Sequence, residues 1–241
     1  MLFLIPPSET KVAGGTGDSE FLQKLTFDSL APARRAVLAS VVKAADAEVD
    51  LDGGVMPAIE RYSGTLYSAI HGRGLKGTPT ANDSLSADQI AQAADQIFIQ
   101  SALFGLISAA DPIPSYKISP TKKLGALSLK KHWQEAHEPL WANLSDRLII
   151  DLRSKAYADL APIGAGGSNI FSVDVFYRSG QGQLSQMNHF NKKAKGQLVR
   201  AALLAKTAPK NIKDLTRAAA GVGLELIQDG QKLTLITRQA T

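Results

Sequence analysis

Short apolar runs in this chain have the pattern of buried strands, and each ends at polar residues, proline or glycine. The first run, residues 2–5, stops at Pro6 and Pro7. Residues 169–177 alternate polar and apolar side chains, which favours an extended strand with one apolar face. The sequence therefore predicts strands at 2–5, 97–99, 148–152 and 169–177.

Helical periodicity appears between and after these strands. The first such segment begins at residue 28 or 29, with Pro32 in its first turn, where proline is well tolerated. Ser86 and Gln89 have the spacing of a capping box, which marks a helix N-terminus. The predicted helices cover residues 28–45, 86–96, 133–144 and 188–205.

A turn signal near the end of the chain completes the pattern. Asp229-Gly230 separates two strand-like segments, 224–228 and 232–236, and this dipeptide suits a type I′ turn because both central residues need positive φ. Strands that alternate with helices and end in a hairpin favour an α/β fold. We predict a single α/β domain over residues 1–241, with a mixed β-sheet covered by helices and a C-terminal β-hairpin.

Composition excludes several classes of protein. The chain has 241 residues and no cysteine, which excludes disulfides, thiolate zinc sites, iron–sulfur clusters and a cysteine nucleophile. Residues 97–113 are nearly uncharged, but polar residues and glycine interrupt them, and the N-terminus lacks a basic region. We therefore expect no membrane span, no signal peptide and a cytoplasmic location.

Charge is distributed unevenly along the chain. Residues 1–100 carry a net charge of −4, whereas residues 101–241 carry +9. Within the second half, residues 186–217 hold eight basic residues and one acid, Asp214. This asymmetry indicates either a surface that faces a polyanion or a solvated helical face.

The predicted helix 188–205 carries much of this positive charge. Lys193, Gly196, Gln197 and Arg200 are three or four residues apart and share one helical face. Glycine inside a helix costs roughly 1 kcal/mol relative to alanine. We expect Gly196 to allow a ligand to pass close to the helix, and the alternative is tight packing against another element.

A second basic stretch lies at residues 116–131, which hold five lysines and no acid. Tyr116 could stack on a base while the neighbouring Lys117 meets a phosphate. A solvated lysine-rich loop explains the same residues equally well. The two prolines at positions 112 and 114 make the segment just upstream rigid.

Histidine spacing does not indicate a metal site. His132 and His137 are five residues apart, so they point in different directions on a helix, whereas zinc-binding pairs are four apart. We therefore expect no metal site and no cofactor. No Ser-His-acid arrangement can be assigned around His71 or His189 either.

Several motifs occur together in a fixed order along the chain. The pieces are Leu4-Ile-Pro-Pro-Ser-Glu-Thr-Lys11, Arg61-Tyr-Ser-Gly-Thr-Leu-Tyr67, Ser101-Ala-Leu-Phe-Gly-Leu106, Asp111-Pro-Ile-Pro-Ser-Tyr-Lys117, Trp133, Ile150-Asp-Leu-Arg-Ser154 with Tyr157, and His189-Phe-Asn-Lys-Lys-Ala-Lys-Gly196. Together they span nearly the whole chain, and the set resembles the YaaA family of peroxide stress proteins.

The resemblance implies a single α/β domain with a positively charged cleft. It also implies DNA binding, a helix–hairpin–helix element and a role in limiting free iron and oxidative DNA damage. Residues 219–223, with the sequence Ala-Ala-Gly-Val-Gly, are the candidate stretch for that element. The resemblance brings no firmly assigned enzymatic activity.

The leading hypothesis is a cytoplasmic peroxide-stress protein that binds double-stranded, damaged or branched DNA through its phosphates, largely independently of sequence. We expect no membrane partner, and a monomer is compatible with the sequence. The predicted DNA-binding residues are Lys11, Tyr116, Lys117, Lys192, Lys193, Lys195 and Arg200. The predicted cleft-lining residues are Ser8, Glu9, Tyr62, Ser63, Gly64, Asp111, Ser154, Tyr157 and Gly196.

Two other classes of function stay open. The first is an enzyme that acts on a nucleotide, nucleobase or nucleic acid in the same cleft. In that case Glu9 would serve as a general base and Lys11 as a nucleophile or phosphate clamp. The second is a scaffold whose basic face recruits an acidic protein.

Overall fold

The computed structural model describes residues 1–44, 48–72, 85–164, 169–187 and 191–238. Its strands are β1 (Leu2–Ile5), β2 (Glu48–Asp50), β3 (Met56–Pro57), β4 (Ile97–Ser101), β5 (Gly105–Ser108), β6 (Pro112–Ile113), β7 (Ser115–Lys117), β8 (Lys123–Leu124), β9 (Leu127–Ser128), β10 (Ile149–Asp151), β11 (Ile170–Arg178), β12 (Leu184–Gln186), β13 (Glu225–Asp229) and β14 (Lys232–Thr237). Its α-helices are α1 (Ala31–Val42), α2 (Ala58–Arg61), α3 (Thr65–His71), α4 (Ala87–Ala93), α5 (Leu129–Asn143), α6 (Lys155–Leu160), α7 (Asn191–Leu203) and α8 (Ile212–Gly221). Short 3₁₀ turns at Phe21–Lys24 and Asp28–Leu30 precede α1.

The main sheet has eight strands in the described part of the chain. Its order is β13-β14-β11-β10-β1-β4-β5, and β12 also pairs with β11. The strands from β14 to β4 run parallel, whereas β5, β12 and β13 pair antiparallel with their neighbours. This mixed sheet with helices confirms the predicted α/β class.

The central strand β1 is buried on both faces, which explains its unbroken apolar sequence. Leu2 and Leu4 pack in one core with Trp141 of α5. Phe3 and Ile5 point to the opposite face and enter a larger core, which also includes residues of α3, α7 and α8. Alternate residues of one short strand therefore join two hydrophobic cores.

The chain leaves β1 in one direction to reach β4 and returns later on the other side as β10, so β1 lies at a switch point of the sheet. The carboxyl ends of these three parallel strands meet at one edge. Ser101 ends β4, Pro6 follows β1 and Leu152 follows β10. In open α/β sheets this edge is the usual place for a ligand.

In the described ranges, three small antiparallel pairs lie outside the main sheet. They are β2 with β7, β3 with β6, and β8 with β9. A single bridge between Lys11 and Tyr62 places the segment after β1 beside the end of α2. No helix in the described ranges is long and apolar enough to cross a membrane.

Candidate functional site

The Lys11 side chain lies beyond the carboxyl end of β1, at the switch point. Its ammonium donates hydrogen bonds to the backbone carbonyls of Ser8, at 3.1 Å, and of Glu9, at 3.5 Å. The same Nζ atom is 4.1 Å from the ring centre of Tyr116 and 5.4 Å from that of Tyr62. Two aromatic faces and two carbonyls therefore surround the cation.

Buried hydroxyls continue from these rings into the sheet. The Tyr116 hydroxyl is 2.6 Å from that of Tyr62 and 2.8 Å from Ser101 Oγ. Ser101 Oγ already accepts hydrogen bonds from the backbone N–H groups of Leu103 and Phe104, so its own hydroxyl donates to Tyr116. Burial raises the pKa of Tyr116 to about 12 and also raises the pKa of Tyr62, so both phenols are protonated at neutral pH.

Small hydroxyl side chains join the loop after β1 to the loop before α3. Ser63 Oγ donates to Thr10 Oγ1 at 3.0 Å, and Ser8 Oγ is 3.2 Å from the same atom. Gly64 has φ +100°, and a Cβ there would lie 3.0 Å from Ser8 Oγ. Glycine thus allows the loop before α3 to approach the first loop closely. We call the group of Lys11, Tyr62, Tyr116, Ser8, Thr10 and Ser63 the amine site.

Glu9 and Tyr157 lie beside the amine site. Glu9 is exposed, whereas Tyr157 on α6 is half-buried. Burial raises the pKa of the Tyr157 hydroxyl, and the neighbouring Tyr116 and Glu9 raise it further. Ser154, just before α6, is exposed. The structure therefore gathers most of the predicted cleft-lining residues at one edge of the sheet.

The surroundings of Tyr116 differ from those of a residue that stacks on a base, which is the role predicted for it. It is only 4% exposed, its hydroxyl is hydrogen-bonded and the Lys11 ammonium lies over its ring. Its ring is therefore part of the wall around the amine. The neighbouring Lys117 is exposed, as a phosphate contact requires.

The expected role of Asp111 is also wrong in this structure. The carboxylate is buried and accepts hydrogen bonds from the Thr26 hydroxyl and from the backbone N–H groups of Thr26 and Ser108. Those bonds tie the segment before α1 to the end of β5. Asp111 therefore connects structural segments instead of lining a cleft.

Helix α7 places its central residues inward. Lys195 is 8% exposed and its ammonium donates to the Leu152 carbonyl at 3.0 Å. Burial lowers the pKa of Lys195, and Asp151 and Asp174 partly oppose that change. Arg200 donates to the Ile70 carbonyl of α3 at 3.1 Å. Both residues contact protein backbone, in contrast to the predicted phosphate contacts.

Gly196 packs directly against α3. A Cβ at this position would lie 2.3 Å from the Leu66 carbonyl oxygen and 2.7 Å from the Ala69 Cβ. The alternative reading of this glycine is therefore correct, because α3 occupies the space that a ligand was expected to use. At the start of α7, Lys192 is exposed and Lys193 is half-buried. The predicted helix start at residues 188–190 lies outside the described residues.

A separate groove of about 750 Å³ is lined by residues of α6 other than Tyr157. It is bounded by the β8–β9 pair, the start of α5 and one face of α6. Four lysines and one acid are among its lining residues: Lys122, Lys123, Lys130, Lys155 and Asp159. Asp159 pairs with Lys155 at 2.7 Å. We call this feature the lysine groove.

Sequence reasoning missed several of these residues. Ser101 and Tyr67 lie in motifs that carry the family resemblance, but no role in the site was predicted for either residue. Tyr67 donates a hydrogen bond to the Pro6 carbonyl at 3.0 Å. Thr10 lies between two residues that were assigned. Lys155 carried no signal of its own, since only the folded chain brings α6 beside residues 122–130.

Two negative findings concern metal and DNA motifs. Among the described residues, no group of three or more His, Asp or Glu side chains could hold a metal ion. Residues 219–223 end α8 and lead into β13, so they do not join two helices. The helix–hairpin–helix assignment for this stretch is therefore wrong.

Comparison with known proteins adds independent information. A family model described as peroxide stress protein YaaA matches residues 1–222. A UPF0246 protein of Corynebacterium efficiens is 32% identical and the match covers 98% of each chain. UPF0246 proteins of Streptomyces coelicolor, 34% identical, and Corynebacterium glutamicum, 31% identical, match 94% and 93% of this chain and 92% and 94% of their own lengths.

Proposed function

This chain belongs to the peroxide stress protein YaaA family, and we propose that it is a cytoplasmic protein that binds DNA through phosphate groups and limits iron-dependent oxidative damage to that DNA. Family membership supports the role in peroxide stress. The lysine groove is the observation that supports binding of a phosphate backbone.

The groove suits a phosphate chain because its charges come from separate segments of the protein. Lys123 and Lys130 are exposed, and Lys155 reaches the same groove from α6. Lysine ammonium groups attract phosphate without reading base edges, so binding would be largely independent of sequence. The exposed Lys117 and Lys192 extend the set of phosphate contacts beyond the groove.

Salt dependence tests this proposal directly. If Lys117, Lys123, Lys130 and Lys192 neutralise about four phosphates, a fourfold rise in salt should weaken binding to a DNA duplex by roughly 150-fold. Fluorescence anisotropy at several salt concentrations measures the slope. Replacing Lys123 and Lys130 with glutamine should reduce the slope of log K against log salt by about two.

The matched control replaces Lys43 and Lys232, which are exposed lysines outside the groove, with glutamine. This control should keep the wild-type slope. Binding that barely responds to salt would contradict the electrostatic mechanism. Equal slopes for the two double variants would show that the lysine groove takes no part in the electrostatic mechanism.

A second candidate function is an enzyme that uses the amine site. The observation that favours it is a half-buried lysine at the switch point of the sheet, held by aromatic rings and backbone carbonyls. A purely electrostatic DNA contact does not need a cation in such surroundings. The reactivity of the Lys11 amine therefore tests this second candidate.

A further inference from the structure

The hydrogen-bond partners of Lys11 are backbone carbonyls, although its side chain is largely removed from water. Its ammonium has the Ser8 and Glu9 carbonyls and two aromatic faces as neighbours, and it forms no ion pair with a carboxylate in the described part of the chain. Carbonyl oxygens and ring faces stabilise a cation less than a carboxylate does. Removing a proton from this ammonium therefore requires less free energy than removing one from a surface lysine.

The direction of the pKa shift agrees with this geometry. Burial lowers the pKa of Lys11 to about 8, with Arg61 lowering it and Glu9 raising it by smaller amounts. About a tenth of the side chains would then be unprotonated at pH 7, roughly 300-fold more than for an ordinary lysine. A neutral amine is the form that attacks a carbonyl carbon.

Ser8, whose backbone carbonyl accepts a hydrogen bond from Lys11, belongs to a group of hydroxyls that indicates the class of molecule that would fit. Ser8, Thr10 and Ser63 form a connected group with separations of 3.0 and 3.2 Å between neighbouring oxygens. Hydroxyl groups both donate and accept hydrogen bonds, so this group can bind a compound that carries several hydroxyls. Glu9, Thr10 and Gly64 are exposed, so the loops that carry these hydroxyls are in contact with solvent.

We propose that Lys11 is the nucleophile of an imine-forming site for polyhydroxylated aldehydes or ketones, the open-chain form of a sugar. Free sugars and the ring-opened sugar of an abasic nucleic acid share this chemistry. This inference rests on the second candidate function and not on the binding of intact DNA.

The reaction needs no oxidant, reductant or metal. The nitrogen lone pair attacks the carbonyl carbon, the carbonyl oxygen takes up a proton, and a carbinolamine forms. Loss of that oxygen as water leaves a carbon–nitrogen double bond, so one water molecule is released for each imine. The nitrogen gives up its two N–H protons in the process, and one further proton makes the imine a cation.

The aromatic rings fit the charge of that product. The protonated imine would occupy the position of the Lys11 ammonium, 4.1 Å from the Tyr116 ring centre, where the ring face stabilises a cation. The Tyr62 and Tyr116 phenols stay protonated at neutral pH because burial raises both pKa values. They therefore introduce no negative charge that would hold the free amine in its protonated form.

Reductive trapping tests the proposal on the full-length protein. Glyceraldehyde and sodium cyanoborohydride at pH 7 convert each imine into a stable adduct, and peptide mapping measures the rate at every lysine. We expect Lys11 to react at least tenfold faster than the exposed Lys43 and Lys232. The comparison is internal to the wild-type protein, so it does not depend on the folding of a variant.

Two variants and two further probes sharpen the result. Lys11→Arg should remove the fast adduct, and Ser63→Ala should slow the reaction of glyceraldehyde but not that of propionaldehyde, which lacks hydroxyls. An oligonucleotide with one abasic site distinguishes a nucleic-acid sugar from a free one. Labelling of Lys11 no faster than that of Lys43 and Lys232 would overturn the proposal.

The two proposals fail independently. Loss of the salt-dependent binding of intact DNA would leave glyceraldehyde trapping at Lys11 unchanged. Uniform labelling of all lysines would remove the imine-forming site and leave the DNA titration as it is.

Discussion

Buried cations in this protein are held mainly by backbone carbonyls. Arg34 donates to five of them, including those of Phe104 and Leu106 in the turn between β4 and β5 and at the start of β5. Arg61 and Lys195 donate to carbonyls in the same way. A count of basic residues along the chain therefore overstates the positive charge at the surface. Some of those residues are buried, and the sequence alone does not show which ones.

His137 is a buried group with a clear effect on stability. Its Nε2 atom accepts a hydrogen bond from the Leu106 N–H at 3.1 Å, and Nδ1 is 2.7 Å from the Trp133 carbonyl oxygen. Nδ1 therefore carries the proton and the ring is neutral. Burial lowers the pKa of His137 from 6.5 to about 4.

We predict that the protein loses stability as the pH falls from 6.5 towards 4, because His137 takes up a proton in the unfolded state and stays neutral in the folded state. The stabilisation is fully present above pH 6.5 and falls by about 1.4 kcal/mol per pH unit between pH 6.5 and about 4. Urea denaturation at several pH values measures the slope. His137→Gln should flatten the slope in this window, and the control His132→Gln should keep it. An unchanged slope in the His137 variant would assign the effect to other groups.

At the scale of elements, predictions succeeded where the signal is local. The capping box at Ser86 and Gln89 is present in full, with the Ser86 side chain and the Gln89 side chain each bonded to the other's backbone. Strands β1 and β4 begin at the predicted residues, because their apolar runs are buried in the sheet. The pairs β2–β7 and β3–β6 join residues more than 50 positions apart and carry no local pattern, so the sequence did not predict them.

The packing of α7 on α3 gives a prediction at this scale. Gly196→Ala should lower the free energy of unfolding by about 1–3 kcal/mol, because the added methyl group overlaps the Leu66 carbonyl. That figure is the net loss that remains after a gain of roughly 1 kcal/mol in helix propensity. The control Gly221→Ala, at the exposed end of α8 with no atom within 4 Å, should be neutral or slightly stabilising. Thermal or urea denaturation compares them, and equal effects would contradict close packing at Gly196.

At the scale of the molecule, the candidate site depends on how distant segments meet. The sequence placed Ser8, Glu9 and Lys11 beyond a strand end, and the fold does bring Lys11 and Lys195 to the carboxyl ends of the adjacent strands β1 and β10. The sequence could not show that Lys195 points inward, or that Lys123, Lys130 and Lys155 come together at the lysine groove. That convergence is set by α6 and the β8–β9 pair, whose positions depend on tertiary packing.

The sheet also predicts how the chain unfolds. Strand β1 pairs with β4 from the same half of the chain and with β10 from the other half, so neither half can complete the sheet alone. We therefore expect one cooperative transition in urea, consistent with a single domain over residues 1–241. Far-UV circular dichroism and the fluorescence of Trp133 and Trp141, both on α5, should give the same midpoint. Gly196→Ala should shift both midpoints equally, since α7 packs in the larger core with Trp133, and β1 joins that core to the one that contains Trp141. Separate midpoints would show that the strands of the two halves unfold independently.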